Sequence, residues 1–182
     1  LDQRYRKFVY HLRESGQASL LGELAMQVEN LYGNNYLSRL NDRWQQHVDA
    51  AQQWEAAPVV LQRNFFSRYV QPFVERKTKV CVLISDAFRY EVGEELQSLI
   101  RQEDRFEADL EPMLSMLPSY TQLGMAALLP NSSLQLADND SGDAIVDGQS
   151  AQGSVNRGKI LATRVPASQV VRAKDLLAMN QA

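Results

Sequence analysis

The chain has 182 residues, of which 45% are hydrophobic and 23% are charged. These proportions are typical of a folded globular domain and exclude an intrinsically disordered chain. The longest apolar run, about five residues at positions 80–84, is too short to span a bilayer, so we expect no contact with membranes. The net charge of −3 is too balanced to favour binding of nucleic acid through bulk electrostatics.

The sequence also carries signs of its location and of its completeness. The single cysteine, Cys81, cannot form an internal disulfide, which is typical of a protein of the reducing cytoplasm. No basic stretch followed by an apolar stretch opens the chain, so we expect no secretory signal. Because the sequence starts at Leu1 instead of a methionine and stops at Ala182 directly after a helix-like run, we expect a fragment of a longer protein.

Residues 1–77 are predicted to form a helical region. Apolar residues recur there at spacings of three and four, which is typical of helices with one buried face. Ser19 is suited to cap the second helix, which Gly33 would end, and Pro58 separates the third helix from the fourth. The predicted helices begin near Tyr5, Ser19, Asn34 and Leu61 and end near Leu12, Gly33, Gln53 and Arg76.

At Lys77 the pattern changes, and residues 78–182 are predicted to begin an α/β domain. Residues 80–84 are all apolar and rich in β-branching, as in a central strand of a parallel sheet that is covered on both faces. Residues 89–101 have the pattern of an amphipathic helix, and residues 105–110 alternate as in a half-exposed strand. A strand, a helix and a strand at this spacing favour a parallel α/β unit.

The rest of the chain is predicted to hold short elements. A helix of small and apolar residues is expected at residues 122–129, before Pro130. Residues 133–136 and 144–146 are strand candidates within a stretch rich in Asn, Asp, Ser and Gly. A further strand is predicted near residues 162–165, followed by a helix from Ala167 or Ala173. The fold class is therefore α/β, a parallel sheet flanked by helices and preceded by the helical region.

Asp86 directly follows the predicted central strand. Ligands of open α/β sheets bind where the carboxyl ends of the strands meet, and a carboxylate there is suited to hold zinc, magnesium or manganese. An aspartate before a helix also commonly caps that helix through its side-chain oxygen. Both roles, metal ligand and helix cap, remain open from the position alone.

Ser119 and Thr121 lie before the predicted helix of residues 122–129. A hydroxyl at the start of a helix can be activated by the exposed backbone amides and the helix dipole, which also attract phosphate. As a nucleophile, either hydroxyl would need a metal ion or a base to accept its proton. Helix capping is again the alternative role.

Asp86 and Thr121, about 35 residues apart, resemble the first metal ligand and the nucleophile of the alkaline phosphatase superfamily. Longer motifs resemble the PglZ family within it, and the type A branch in particular. The resemblance extends over about residues 60–180. Its motifs are YVQPF at 69–73, ISDAFRYE at 84–91, LEPML at 110–114, MLPSYTQLGMAALLP at 116–130 and VDGQS at 146–150, with Asn156 and Arg157 downstream.

The resemblance implies the first part of an alkaline-phosphatase-like domain, a metal-dependent phosphohydrolase of bacterial BREX and Pgl phage-defence systems. Asp86 would then be a metal ligand. Thr121 would be both nucleophile and metal ligand, because Pro-Ser-Tyr-Thr resembles the Pro-Thr-x-Thr of nucleotide pyrophosphatase relatives, and Ser119 is the alternative nucleophile. Arg89 belongs to the family motif and could hold a phosphate oxygen, with an ion pair on the helix surface as its other role.

The same resemblance implies divalent metal ions as cofactors, zinc first, with magnesium or manganese as alternatives. The implied partners are other BREX proteins and, through the complex, phage or host DNA. Superfamily sites need further aspartates and histidines, but no histidine follows His47. We therefore expect the remaining ligands to be absent from this fragment and the fragment alone to be inactive.

Two other functions remain open. The helical region could dock other proteins of the defence complex, with the phosphatase fold serving as a scaffold, because a fold does not fix a function. The aromatic side chains of this region equally suit a small core. Binding of nucleic acid by this fragment has little support, since acidic residues dilute its basic N-terminal end.

Overall fold

The computed structural model describes residues 1–16, 20–86, 88–138 and 141–179. Backbone contacts divide the chain into two compact units, the first made of residues 1–54 and 87–111 and the second of residues 55–86 and 112–182. The boundary predicted near residue 77 stays a prediction. No helix in the described ranges combines the length and the apolar character that crossing a bilayer demands.

Within the described ranges, helices and strands alternate in short segments. The α-helices are α1 Asp2–Glu14, α2 Gly22–Asn30, α3 Ser38–Ala50, α4 Gln71–Glu75, α5 Tyr90–Arg101, α6 Thr121–Ala127, α7 Gly153–Arg164 and α8 Ala173–Ala178. The strands are β1 Val60–Leu61, β2 Met113–Leu114, β3 Leu134–Leu136, β4 Ala144–Val146 and β5 Gln149–Ser150. Wider π-helical turns join α2 to α3 and lead into α4, and a 3-10 turn at Gln62–Asn64 follows β1.

The first unit is held together mainly by polar and aromatic contacts. Arg6 of α1 donates to both oxygens of Glu91 on α5, at 3.0 and 3.2 Å from its Nε, and also pairs with Glu95. The rings of Tyr5 and Tyr32 stack with centroids 3.8 Å apart. Among its described residues only Gly93 is buried, so this unit has no apolar core.

The second unit contains two small sheets. Strand β1 pairs in parallel with β2, with Val60 opposite Met113 and Leu61 opposite Leu114. Strands β3, β4 and β5 form an antiparallel sheet in that order. Helix α6 contacts β3 and β4 of the antiparallel sheet and also the 3-10 turn that follows β1, so this short helix lies between these parts of the unit.

The apolar core of the second unit forms around α6. The helix buries its small and apolar face, Leu123 and Ala126, in one cluster with residues of β4 and with Ile160 of α7. Burial of side chains of this size contributes roughly 1.5–3 kcal/mol for each of the larger ones. The fully or nearly fully buried members of this core are Leu123, Ala126, Leu129, Ala144, Val146, Ala151 and Ile160.

The prediction of a central strand at residues 80–84 is wrong. These residues belong to no helix and to no sheet of the described chain, and their side chains are exposed, Leu83 by 81%. A strand exists only through hydrogen bonds to a neighbouring strand, and the parallel pairing of this chain lies elsewhere, between β1 and β2. Apolar character alone therefore misassigned the segment.

Two further predicted strands are wrong. At residues 105–110 the backbone forms no ladder, and the carbonyl of Ala108 instead accepts hydrogen bonds from the side chains of Gln97 and Arg101. Residues 162–164 belong to α7, so the strand near residues 162–165 is absent. The end of the second helix predicted near Gly33 is also wrong, because π-helical turns at Leu31–Leu37 continue the helix through this residue. Ser19 lies outside the described residues.

Several other predictions are confirmed. The helical periodicity correctly identified α1 and α5, and the helix expected at residues 122–129 is α6. The strand candidates at residues 133–136 and 144–146 correspond to β3 and β4, and the last predicted helix begins at Ala173. The mixture of helices with a small parallel sheet agrees with the coarse α/β class.

Candidate functional site

Thr121 is the first residue of α6, and its exposed hydroxyl sits at the end of a helix that is otherwise anchored in the core. The preceding residue, Tyr120, has an extended backbone and donates its hydroxyl to the carbonyl of Gly142 at 2.6 Å. The backbone on both sides of Thr121 is therefore fixed. Neither Ser119 nor Thr121 caps the helix, because its N-cap residue is Tyr120 and makes no side-chain cap.

Asp86 lies in a turn that follows the exposed segment of residues 80–84. Asp86 is exposed, so a ligand from solution can reach its carboxylate. Helix α5 takes Arg89 as its N-cap residue, so the alternative role of Asp86 as the cap of that helix is wrong. The other role that the sequence left open, that of a metal ligand, stays a prediction.

The structure brings Thr121 and Asp86 together. The Thr121 Oγ1 lies 3.4 Å from both Asp86 Oδ1 and Asp86 Oδ2 and can donate to either. At that length the hydrogen bond is weak, since hydroxyl–oxygen bonds commonly measure about 2.5–3.0 Å. Two oxygens that share one cation, each about 2.0–2.6 Å from it, lie about 3–5 Å apart, so the observed separation fits the binding of a shared ion.

The pair supplies only part of a metal site. No group of three or more His, Cys, Asp or Glu side chains in the described residues is arranged to hold a metal ion. Both histidines are exposed on helices of the first unit, His11 on α1 and His47 on α3. Two oxygens fit a hard or borderline cation in kind, but a stable zinc site needs about four ligands. The described residues therefore do not provide a complete set of ligands for such an ion.

Gln62 supports the helix that carries Thr121, a role that the sequence did not reveal. Its side-chain nitrogen donates to the carbonyl of Gly124 at 3.3 Å, and its side-chain oxygen accepts from the backbone nitrogen of Met116 at 3.1 Å. One amide thus ties α6 to the chain that follows β2. Gly124 allows this approach, because a Cβ there would lie 3.3 Å from the Gln62 nitrogen.

Asp147, within the resemblance motif at residues 146–150, also had no predicted role. Its carboxylate accepts hydrogen bonds from the backbone nitrogens of Ser132 and Ser133, the shortest at 2.6 Å. Its φ of 48° places it in the left-handed region, where aspartate is among the tolerated residues. Asp147 therefore lies in the turn between β4 and β5, and its side chain holds the chain at the start of β3. A motif of Asp followed by Gly is the local signal that could have indicated this turn.

Ser119 and Arg89 are the remaining predicted site residues. Ser119 is exposed, and its side chain forms no hydrogen bond with the described residues. Arg89 Nη2 donates to Glu91 Oε1 at 3.0 Å, which is the ion pair that the sequence offered as its alternative role. Arg6 also binds Glu91, so this carboxylate has two arginine partners.

Comparisons with known proteins identify a family for this chain. The family model of the BREX system PglZ alkaline phosphatase-like domain matches residues 65–182. The alkaline phosphatase-like protein PglZ of Bacillus cereus (strain H3081.97) is 36% identical over 183 residues, which cover 100% of this chain and 21% of that protein. The alkaline phosphatase-like protein BrxZ of Escherichia coli O9:H4 (strain HS) is 40% identical over 186 residues, which cover 98% of this chain and 21% of that protein.

The chain therefore spans about one fifth of the length of the curated relatives that it matches. No solved structure gives a significant match. The family model covers more than half of the chain and includes both Asp86 and Thr121. The chain belongs to the family of the BREX-system PglZ alkaline phosphatase-like domain.

Proposed function

We propose that the protein carrying this chain is a metal-dependent phosphoester hydrolase of a bacterial BREX phage-defence system, acting in the cytoplasm with other BREX proteins and, through them, on phage or host DNA. The observation that carries the proposal is the 3.4 Å approach of Thr121 Oγ1 to both Asp86 oxygens. Membership of the family supports the reaction class. The fragment itself is proposed to be inactive, because its described residues provide only part of a metal site.

In the proposed reaction Thr121 is the nucleophile and Asp86 orients it. Asp86 accepts a hydrogen bond from the Thr121 hydroxyl and takes up its proton in the reaction. The hydrogen bond directs an oxygen lone pair away from the carboxylate and toward the bound phosphate. The bond from Oγ1 to phosphorus forms as the bond from phosphorus to the leaving-group oxygen breaks on the opposite side, and that oxygen takes up a proton from water. Water then hydrolyses the phosphothreonine, which releases the phosphate group and restores the hydroxyl of Thr121. When bound by Asp86, Thr121 and further ligands, a divalent ion, with zinc the first choice over magnesium and manganese, would stabilise the negative charge on phosphate and on the nucleophile.

The backbone of this site is suited to the same task. Tyr120 and Gln62 fix the first turn of α6 from two sides, through Gly142 and through Gly124. A fixed nucleophile loses little entropy when it reacts, which is one source of rate enhancement.

The proposal is tested by the hydrolysis of chromogenic phosphodiesters and phosphomonoesters by the complete protein, with zinc, magnesium or manganese added. Thr121→Ala is expected to lower kcat by more than about a thousandfold, and Asp86→Ala by more than about a hundredfold. Both side chains are exposed, so both variants should fold normally by circular dichroism. Ser119→Ala is the matched control and should retain activity.

Three outcomes would contradict parts of this proposal. Unchanged turnover in Thr121→Ala, with loss in Ser119→Ala, would transfer the nucleophile to Ser119. An inactive complete protein that still assembles with other BREX proteins would favour a scaffold function. Robust turnover by residues 1–182 alone would show that the partial site is sufficient.

Arg89 is proposed to hold a phosphate oxygen of the substrate as a bidentate donor, in competition with Glu91. In that role Arg89→Gln should raise KM about tenfold and leave kcat nearly unchanged, because the lost contact is made in the ground state as well. Arg172→Gln, which removes another exposed arginine of an ion pair, is the control. Equal KM values for the two variants would assign Arg89 to its ion pair alone.

A further inference from the structure

A polar cleft lies in the second unit, away from Asp86 and Thr121. It has a volume of about 330 Å³ and is lined by Arg63 of the turn after β1 and by Arg164 at the end of α7. Asn131, another lining residue, donates to the carbonyl of Ala127, the last residue of α6. The cleft therefore lies at the carboxyl end of α6, about 9 Å of helix from Thr121 at the other end.

Most polar groups of the cleft are already satisfied. The Ser67 hydroxyl donates to the carbonyl of Asn64 at 3.0 Å. The side chain of Gln71 donates to Glu75 at 2.7 Å. The Asn131 amide donates to the carbonyl of Leu129 at 2.8 Å and to that of Arg63 at 3.1 Å. These bonds shape the walls and leave few polar groups free to bind a ligand.

The two guanidinium groups are the exception. Neither Arg63 nor Arg164 forms an ion pair or a side-chain hydrogen bond with any described residue. Two like charges that line one small cleft repel each other unless an anion lies between them. Each guanidinium is a planar fork of donors that matches the oxygens of phosphate in pairs. Glu75 offsets one of the two positive charges, and its oxygen is held by Gln71.

The walls and the size of the cleft limit the ligand further. Phe66 and Pro130, both buried, form apolar parts of the lining. A volume of 330 Å³ is at the lower end of the range for small-molecule sites. A carboxylate offers two oxygens and one charge, whereas a phosphomonoester offers three free oxygens and nearly two charges at neutral pH. Two arginine forks therefore match a phosphate group better.

We propose that Arg63 and Arg164 form an anion site that binds the phosphate group of a small molecule, or free phosphate, in the cleft at the carboxyl end of α6. The site is separate from Thr121, and its occupancy does not depend on hydrolysis there. Asn131 is a positioning residue, because its amide fixes the backbone of Arg63 to the loop after α6.

The test is isothermal titration calorimetry of inorganic phosphate into the complete protein at low salt. The protein carries Thr121→Ala, so that turnover at the proposed catalytic site cannot contribute. Arg63→Gln and Arg164→Gln should each weaken binding about tenfold or more, as expected for the loss of a charged hydrogen-bonding partner. Arg68→Gln is the matched control, since Arg68 lies one turn away and lines a different cleft with Glu55 and Pro58.

Further measurements complete the test. Arg63→Lys and Arg164→Lys keep the charge but lose the fork, and their affinities should fall between those of the wild type and of the glutamine variants. Circular dichroism checks that each variant is folded. Adenosine monophosphate binding more tightly than phosphate would identify a small phosphomonoester as the ligand, and equal affinities would identify the phosphate group alone. No binding of phosphate at about 10 mM, or equal losses in Arg68→Gln and Arg63→Gln, would overturn the proposal.

Discussion

The two compact units are stabilised in different ways. The first unit uses ion pairs and ring contacts between α1, α5 and the turn after α2, and Gly93 alone is buried among its described residues. The second unit has an apolar core that includes Leu123 and Val146. Ion pairs that are partly exposed contribute little to stability, whereas burial of apolar side chains contributes most of it.

This difference has a consequence for the candidate catalytic pair. Thr121 is carried by α6, whose opposite face, including Leu123, is buried in the core. Asp86 ends an exposed segment that no sheet of the described chain holds. One member of the pair is therefore firmly placed, and the other depends on a segment with few contacts. Four predictions below separate the contributions of the two units.

The largest effect is expected from a cavity in the core of the second unit. Leu123→Ala should lower the free energy of unfolding of that unit by about 2–5 kcal/mol, because a side chain 3% exposed leaves a void. Hydrogen exchange of the amides of α6 measures the change. Leu24→Ala on α2 is the control, since Leu24 is 48% exposed and should change stability by less than about 1 kcal/mol. Equal effects would remove the distinction between the units.

A smaller effect is expected where the backbone before the nucleophile is anchored. Tyr120→Phe removes the hydrogen bond to the carbonyl of Gly142 and should destabilise the first turn of α6 by about 0.5–1.5 kcal/mol. Faster hydrogen exchange at Gly124, whose backbone nitrogen bonds to the carbonyl of Tyr120, would report the change. Tyr90→Phe, at an exposed ring of α5, is the control and should leave that exchange unaltered.

The first unit should respond to acid through Glu95. Hydrogen bonds from Lys7 and then from Arg6 lower the pKa of Glu95 from 4.5 to about 2. Because the folded pKa is the lower one, the stabilisation is present above about pH 4.5 and is lost as the pH falls toward 2. The difference in Tm between the wild type and Glu95→Gln should therefore shrink across this interval. A difference that stays constant from pH 6 to pH 2 would contradict the role of this carboxylate.

The smallest effect is expected from an ion pair of the second unit. Arg172 and Asp175 pair at 2.7 Å on α8, but their side chains are 66% and 44% exposed. Asp175→Asn should change the free energy of unfolding by no more than about 0.5 kcal/mol, and less at high salt. Chemical denaturation at two salt concentrations measures it. A larger loss than that of Tyr120→Phe would mean that surface charge stabilises this unit too.

The sequence allowed several helices and the proximity of Asp86 and Thr121 to be predicted, because these depend on local patterns or on a family motif. The periodicity of α1 and α5 and the start of α6 at Thr121 are properties of a few neighbouring residues. Strands β1 and β2 could not be predicted, since each has two residues and their pairing joins positions more than 50 residues apart. Helix α7 was hidden by its Gly and Asn residues, which are weak helix formers.

The predicted central strand also shows that strand pairing cannot be predicted from one segment alone. Residues 80–84 have the composition of a buried strand, but pairing is a property of two segments, and no second segment is supplied by the described residues. The supporting roles of Gln62 and Asp147 were missed for a related reason. Both residues bind backbone groups distant in sequence. The Asp-Gly motif could have indicated the turn at Asp147, but not these bonds.

The exposed run at residues 80–84 also governs how the isolated chain behaves in concentrated solution. Five apolar residues without proline, outside any helix or sheet of the described chain and with Leu83 81% exposed, resemble the short segments that stack with identical copies into fibrils. Lys77 and Lys79 precede the run and Asp86 follows it, so like charges meet when two copies align in register. Charges that flank an aggregation-prone segment act as gatekeepers against such stacking. Salt that screens these charges should therefore promote aggregation of this chain rather than prevent it.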